Sequence, residues 1–162
     1  MSMQGNIHGW AMRVILPVCL CAYGCQGTGD GRVQVQGRLT AKGSAVGHAE
    51  LSFASLSAPE AAVGVTQADG SFTLIGPRSR KKGAFPGTYT VRVMRPMLAD
   101  GRPLLSVPPA DRLAGPAYDA IPAKYSAPGS KGLSVTVPPT GGPLEIAISE
   151  SLVEQSAPAG KP

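Results

Sequence analysis

The feature that most restricts this chain is a recurring alternation of apolar and polar residues, in short runs cut apart by glycine and proline. Residues 32–39 read R-V-Q-V-Q-G-R-L. In an extended chain successive side chains point to opposite faces, so such a run makes one apolar face and one polar face. The pattern returns at 49–53, 61–67, 71–75, 88–95, 133–137 and 144–148. It predicts inward sets of Val33, Val35, Gly37 and Leu39; of Ala49, Leu51 and Phe53; of Val63 and Val65; of Phe72 and Leu74; and of Tyr89, Val91 and Val93. No segment carries a convincing stripe at the helical spacing of 3.6 residues. Seven short strands within about 115 residues predict an all-β fold, a seven-stranded antiparallel β-sandwich. The last two strands are expected to pair with each other through the P-P-T-G-G-P link at 138–143.

Turn chemistry supports the same reading. Gly (21) and Pro (16) are together about twice as abundant as in an average chain. Asp69-Gly70 predicts a tight hairpin, because Gly takes positive φ at no steric cost and Asp tolerates the turn. Phe72 is expected to enter the core just after it. Pro86-Gly87 predicts a second reversal, and Tyr89 is expected to bury its ring while its hydroxyl finds a backbone partner. Residues 96–130, rich in Pro, Gly and Ala, read as a long structureless insert. Residues 149–162 read as a frayed, disordered tail.

The first thirty residues read as an address. Met12-Arg13 begins a short basic segment, and residues 14–23 are apolar apart from Pro17. Ten residues are too few to span a bilayer, which takes about 20, and they suit a secretory signal peptide. Residues 1–11 suit such a leader poorly, which leaves Met12 as an alternative start of translation. Cys21-Ala22-Tyr23-Gly24-Cys25 resembles a bacterial lipobox, in which a small residue precedes a cysteine that receives diacylglycerol. Ala22 stands where leucine is commoner. The resemblance implies a lipoprotein signal peptide at 1–24, lipidation of Cys25 and a tether over 25–31. Gln26 after the cysteine implies the outer membrane or cell surface. After Cys25 the chain has no further cysteine, which excludes a disulfide framework or thiolate metal site in the body.

Four elements in order, V-Q-G-R-L-T, G-H-A-E-L-S-F, T-Q-A-D-G-S-F-T-L and P-G-T-Y-T-V-R-V, resemble the carboxypeptidase regulatory-like domain, a transthyretin-like (prealbumin-like, Ig-like) sandwich. The segment I-P-A-K-Y-S-A-P-G-S-K-G-L-S-V-T-V resembles small bacterial secreted lipoproteins built on that domain. The likeness covers 32–148, and departs from the family in a short first turn at 41–46 and a basic loop at 78–82. It implies that Asp69, Gly70, Phe72, Pro86, Gly87 and Tyr89 serve folding rather than chemistry.

No constellation for catalysis stands out. The body holds one histidine, His48, no G-x-S-x-G elbow, no phosphate-cradling glycine loop and no D-x-D-x-D spacing. Nothing selects a pair among the scattered carboxylates. The expectation is a protein that is not an enzyme and needs no cofactor or metal. The run Arg78, Ser79, Arg80, Lys81, Lys82 concentrates much of the net charge of +5. Such a run can meet nucleic acid or anionic lipid; without interleaved aromatics a nucleic-acid partner is not expected, and a solvated loop is the plain reading. The function expected is a non-catalytic cell-envelope lipoprotein, a structural or protein-interaction module held to the membrane by its anchor. The alternative is a glycan-binding module using Tyr118, Lys124 and Tyr125 as exposed contacts, the bland reading of that pair being that Lys124 and Tyr125 pin the long segment onto the body.

Overall fold

The computed structural model describes residues 29–128 and 130–153. The strands are β1 (Val35–Ala41), β2 (Ser44–Ala45), β3 (Glu50–Ala54), β4 (Ala62–Val65), β5 (Ser71–Thr73), β6 (Gly87–Met94), β7 (Pro96–Met97), β8 (Tyr118–Asp119), β9 (Leu133–Val137) and β10 (Gly142–Ile148), with one short helix, α1 (Ala123–Ser126). The fold is all-β. Each segment of strong alternation contains a strand, but the count exceeds seven because β2, β7 and β8, of two residues each, have no period long enough to read.

Two sheets share the core. In the first, β1 lies between β10 and an edge made of β2 and β5 end to end. In the second, the order is β4-β3-β6-β9, antiparallel throughout. A short β7-β8 pair forms a third. The inward faces of the two main sheets meet in one apolar cluster that includes Val35, Leu39, Leu51, Phe53, Phe72 and Ile146. The Phe53 ring lies 6.4 Å from that of Phe72 on the other sheet and 5.9 Å, edge-on, from that of Tyr89. Gly37 sits mid-strand because the Phe72 ring occupies the space a Cβ would need.

Two expectations about strand pairing are corrected. The sheets are not wholly antiparallel: β1 and β10 run parallel, from Val35 opposite Gly142 to Ala41 opposite Ile148. Nor do the last two strands pair with each other. β9 borders β6 in one sheet while β10 borders β1 in the other. The proline-rich link carries the chain across instead of folding it back. Gly141 (φ +69°) and Gly142 (φ +116°) adopt backbone that L side chains resist, and the Gly142 N–H donates to the Gln34 carbonyl at 3.0 Å.

A third correction concerns β4. Its inward residues are Ala62 and Gly64, followed by Thr66, while Val65 is 47% exposed and Val63 half-buried. Ala62 lies opposite Phe53 and Gly64 opposite Leu51, so small residues face large ones. A Cβ on Gly64 would already lie 3.2 Å from the Leu74 side chain, leaving no room for valine there. A one-residue change of parity reverses every side chain in a strand, and here core volume decided it.

The 96–130 insert is also not structureless. It holds β7, two 3₁₀ turns (Leu104–Ser106 and Pro109–Ala114), β8 and α1. Met97, Leu98, Val107 and Ala120 are buried apart from the main cluster.

Candidate functional site

Three places on the described surface combine unusual chemistry with fixed geometry. The first is only faintly signalled in the sequence. Arg32 and Glu60, 4% and 7% exposed, form a buried ion pair. Glu60 belongs to the same inward parity as Ala62, Gly64 and Thr66, which carries a carboxylate toward the core. Arg32 reaches it just before β1, with its guanidinium 4.5 Å from the Phe85 ring centroid. Phe85 is half-buried in this stack. The other Glu60 oxygen accepts N–H bonds from Arg78 (2.6 Å) and Ser79 (3.0 Å). These donors hold its pKa down from the ordinary 4.5 to about 2, with the Ser79 N–H the largest influence and burial opposing. Gly76 makes the niche possible: a Cβ there would lie 2.6 Å from Arg32 Nη1 and 2.8 Å from Glu60 Oε2. An acidic residue at the head of a run of small alternating residues was the available signal, and it is weak.

The second place is the corner predicted at Tyr118, Lys124 and Tyr125. Tyr125 is 6% exposed and belongs to the apolar core, so the expectation of an exposed ring is corrected. Its hydroxyl lies 3.2 Å from Ser149 Oγ. Lys124 is exposed, ion-paired with Glu150 and 4.7 Å from the Tyr125 ring centroid. Its ammonium is held above its usual range, first by the Glu150 hydrogen bond and then by Tyr125. Tyr118 is half-buried in β8, opposite Met97. Lys124 and Tyr125 therefore latch α1 to the residues that follow β10. The start of the presumed frayed tail, Ser149 to Val153, takes part, and the Val153 N–H donates to the Ala120 carbonyl at 2.7 Å. Tyr125→Ala should lower stability by about 3 kcal/mol, the usual cost of deleting a large buried side chain. Lys124→Ala should leave the thermal midpoint nearly unchanged, as exposed ion pairs contribute little. A calorimetric scan of both variants checks this.

The third place is the arm between β6 and α1. Asp119 Oδ1 accepts the N–H groups of Arg95 and Ile121, each at 2.9 Å. Arg95 Nε donates to the Gly47 carbonyl (2.9 Å), and Arg92 Nη2 to that of Ser126 (2.7 Å). The arm is thus tied to the sheets at both ends. A cleft of about 320 Å³ on it is lined by Leu98, Asp100, Arg102, Asp111 and Pro116 among others, and Leu113 projects nearly fully exposed.

The predicted folding residues occupy turns, core and the start of β6, but the expected hairpin at Asp69-Gly70 is corrected: the turn carries the chain from β4 in one sheet to β5 in the other, and the two strands pair with β3 and β1 respectively. Gly70 has φ +79°, and a Cβ on it would stand 2.7 Å from the Leu39 carbonyl. Asp69 Oδ1 accepts from Ser71 N–H (2.9 Å) and Oγ (2.7 Å). Phe72 is buried, Pro86 is exposed and Gly87 has φ +143°. The Tyr89 hydroxyl donates to the Phe85 carbonyl at 2.8 Å from a fully buried ring. Cys25, the predicted lipidation site, lies outside the described residues. Among the described residues, no three His, Cys, Asp or Glu side chains gather so as to hold a metal ion, and no helix is long and apolar enough to cross a membrane. No family model, curated protein or solved structure matches the chain.

Proposed function

We propose that this chain is a non-catalytic cell-envelope lipoprotein: a transthyretin-like β-sandwich, anchored through Cys25, that presents the arm at 96–128 to a protein partner. The observation that supports the reading best is the arm itself. It has buried residues of its own, ties to the sheets at both ends and exposes Leu113 on its surface. A preformed surface loses little entropy on docking, which is what a binding surface held by a rigid scaffold needs. Two sheets with one shared core are compatible with the sandwich, and the ordered family-like elements add the transthyretin-like part. The lipobox-like segment supplies the anchor.

Radiolabelled palmitate should enter the wild-type chain in a bacterial host and be lost in Cys25→Ser; labelling that persists in the variant removes the anchor from this reading. A photo-crosslinking side chain placed at Leu113 should capture a discrete envelope protein in intact cells. The same probe at Glu145, on the polar face of β10, should not. Equal capture at both positions, or none, argues against the arm as the partner surface.

A further inference from the structure

We propose that the 78–82 loop is a second membrane contact, which lays exposed arginine and lysine side chains on anionic phospholipid headgroups beside the acylated Cys25. The inference rests on the anchor reading above, and it gives work to a basic run of which the domain itself uses only Lys81, paired with Asp30, and Arg78, which donates to the Pro59 carbonyl.

Chain length places the loop near the membrane. Asp30, five residues after Cys25, accepts an ion pair from Lys81 at 2.9 Å. Five residues reach at most about 18 Å when fully extended. A lipid on Cys25 therefore confines the loop to within about two Debye lengths of the headgroups at physiological salt.

The loop is built to face outward. The Gly76 N–H donates to the Lys81 carbonyl (2.8 Å) and the Arg80 N–H to the Gly76 carbonyl (2.9 Å), closing it on itself. Arg80 is held at φ +58°, a conformation that a non-glycine residue keeps only when its surroundings impose it. Glu60, underneath, takes the backbone N–H groups of Arg78 and Ser79, so the acid pins the loop without meeting its outer charges. Residues 77–82 are all exposed. Arg32, Arg78, Arg80, Lys81 and Lys82 stand against Asp30 and Glu60, leaving three net positive charges at this end of the domain.

The chemistry favours lipid over nucleic acid. Single-stranded nucleic acid needs aromatic faces for base stacking. The aromatic residue closest to the loop in sequence, Phe85, is half-buried with the Arg32 guanidinium over its ring. A planar anionic surface needs only clustered cations, and each near such a surface strengthens attachment about fivefold.

The test is vesicle co-sedimentation of the processed chain, from residue 25 onward and carrying Cys25→Ser, so that neither the apolar leader nor an acyl chain contributes. At low ionic strength it should bind vesicles containing phosphatidylglycerol and not vesicles of phosphatidylcholine alone, and added salt should release it. Arg80→Gln with Lys82→Gln should weaken binding about 25-fold with an unchanged thermal midpoint, because the bonds that hold the loop among the described residues come from its backbone, Glu60 and the side chains of Arg78, Ser79 and Lys81, and from neither substituted side chain. Binding that ignores lipid charge, or survives the double substitution, overturns the proposal. So does binding to a DNA oligonucleotide without binding to phosphatidylglycerol. Palmitate labelling of the wild type reads the anchor separately. A labelled chain whose loop ignores lipid charge defeats the loop contact and leaves the anchor standing; an unlabelled chain that still needs the loop for phosphatidylglycerol sustains the contact without the anchor.

Discussion

Replacing Arg32 by methionine should destabilise the domain by about 3 kcal/mol, because removing one member of a buried ion pair leaves the other charge desolvated and unmatched. Arg32 is 4% exposed, and its guanidinium is the cation facing Glu60 in the interior. Methionine keeps the volume and packs against Phe85, so the loss reports the charge rather than a cavity. Adding Glu60→Gln to Arg32→Met should recover more than half of it. The amide oxygen can still accept the Arg78 and Ser79 N–H bonds, and no unmatched charge remains. Urea unfolding of wild type, Arg32→Met and the double variant reads all three; a single variant as stable as wild type would refute the pair's role. The pH dependence has a definite sign. The Glu60 pKa is depressed in the folded state, from 4.5 to about 2. Its contribution is therefore complete above pH 4.5 and lost as pH falls toward 2. The thermal midpoint should drop across that window, and drop less steeply in Glu60→Gln.

The second large effect belongs to the core. Phe53→Ala should cost about 4 kcal/mol, near the top of the range for large-to-small changes, because the cavity would open where the sheets meet. Phe53 is fully buried and its ring neighbours are Phe72 on one sheet and Tyr89 on its own. Phe53→Leu should cost roughly half as much, since most of the apolar volume remains. Denaturant midpoints of the two variants test the gradation; equal losses would mean that the core does not depend on filling that space.

These two residues differ in how they could be read. Phe53 announces itself, because Ala49, Leu51 and Phe53 alternate with polar neighbours and leave one face apolar. Glu60 does not. Its role depends on Arg32, 28 positions earlier, and on the parity of β4. That parity could not be read from Val63 and Val65, which look like the better core residues. The small size of Ala62 and Gly64 matters only once Phe53 and Leu51 are known to lie opposite. Tyr125 poses the same difficulty. In a stretch rich in proline and alanine it looks like an exposed ring, yet it fills the core between α1 and the residues after β10.

Local pattern by itself determined that the chain builds strands, where the strong ones run, and that Asp69-Gly70 turns it. Those outcomes rest on period-two patterning and on φ preferences, which act over a few residues. Only the tertiary structure decided that β10 lies parallel to β1, which face of β4 is inward, that the 96–128 arm is folded and that Arg32 meets Glu60. Each of these is a contact between distant segments, chosen by volume and charge compensation across the core, and no local window of sequence contains both partners.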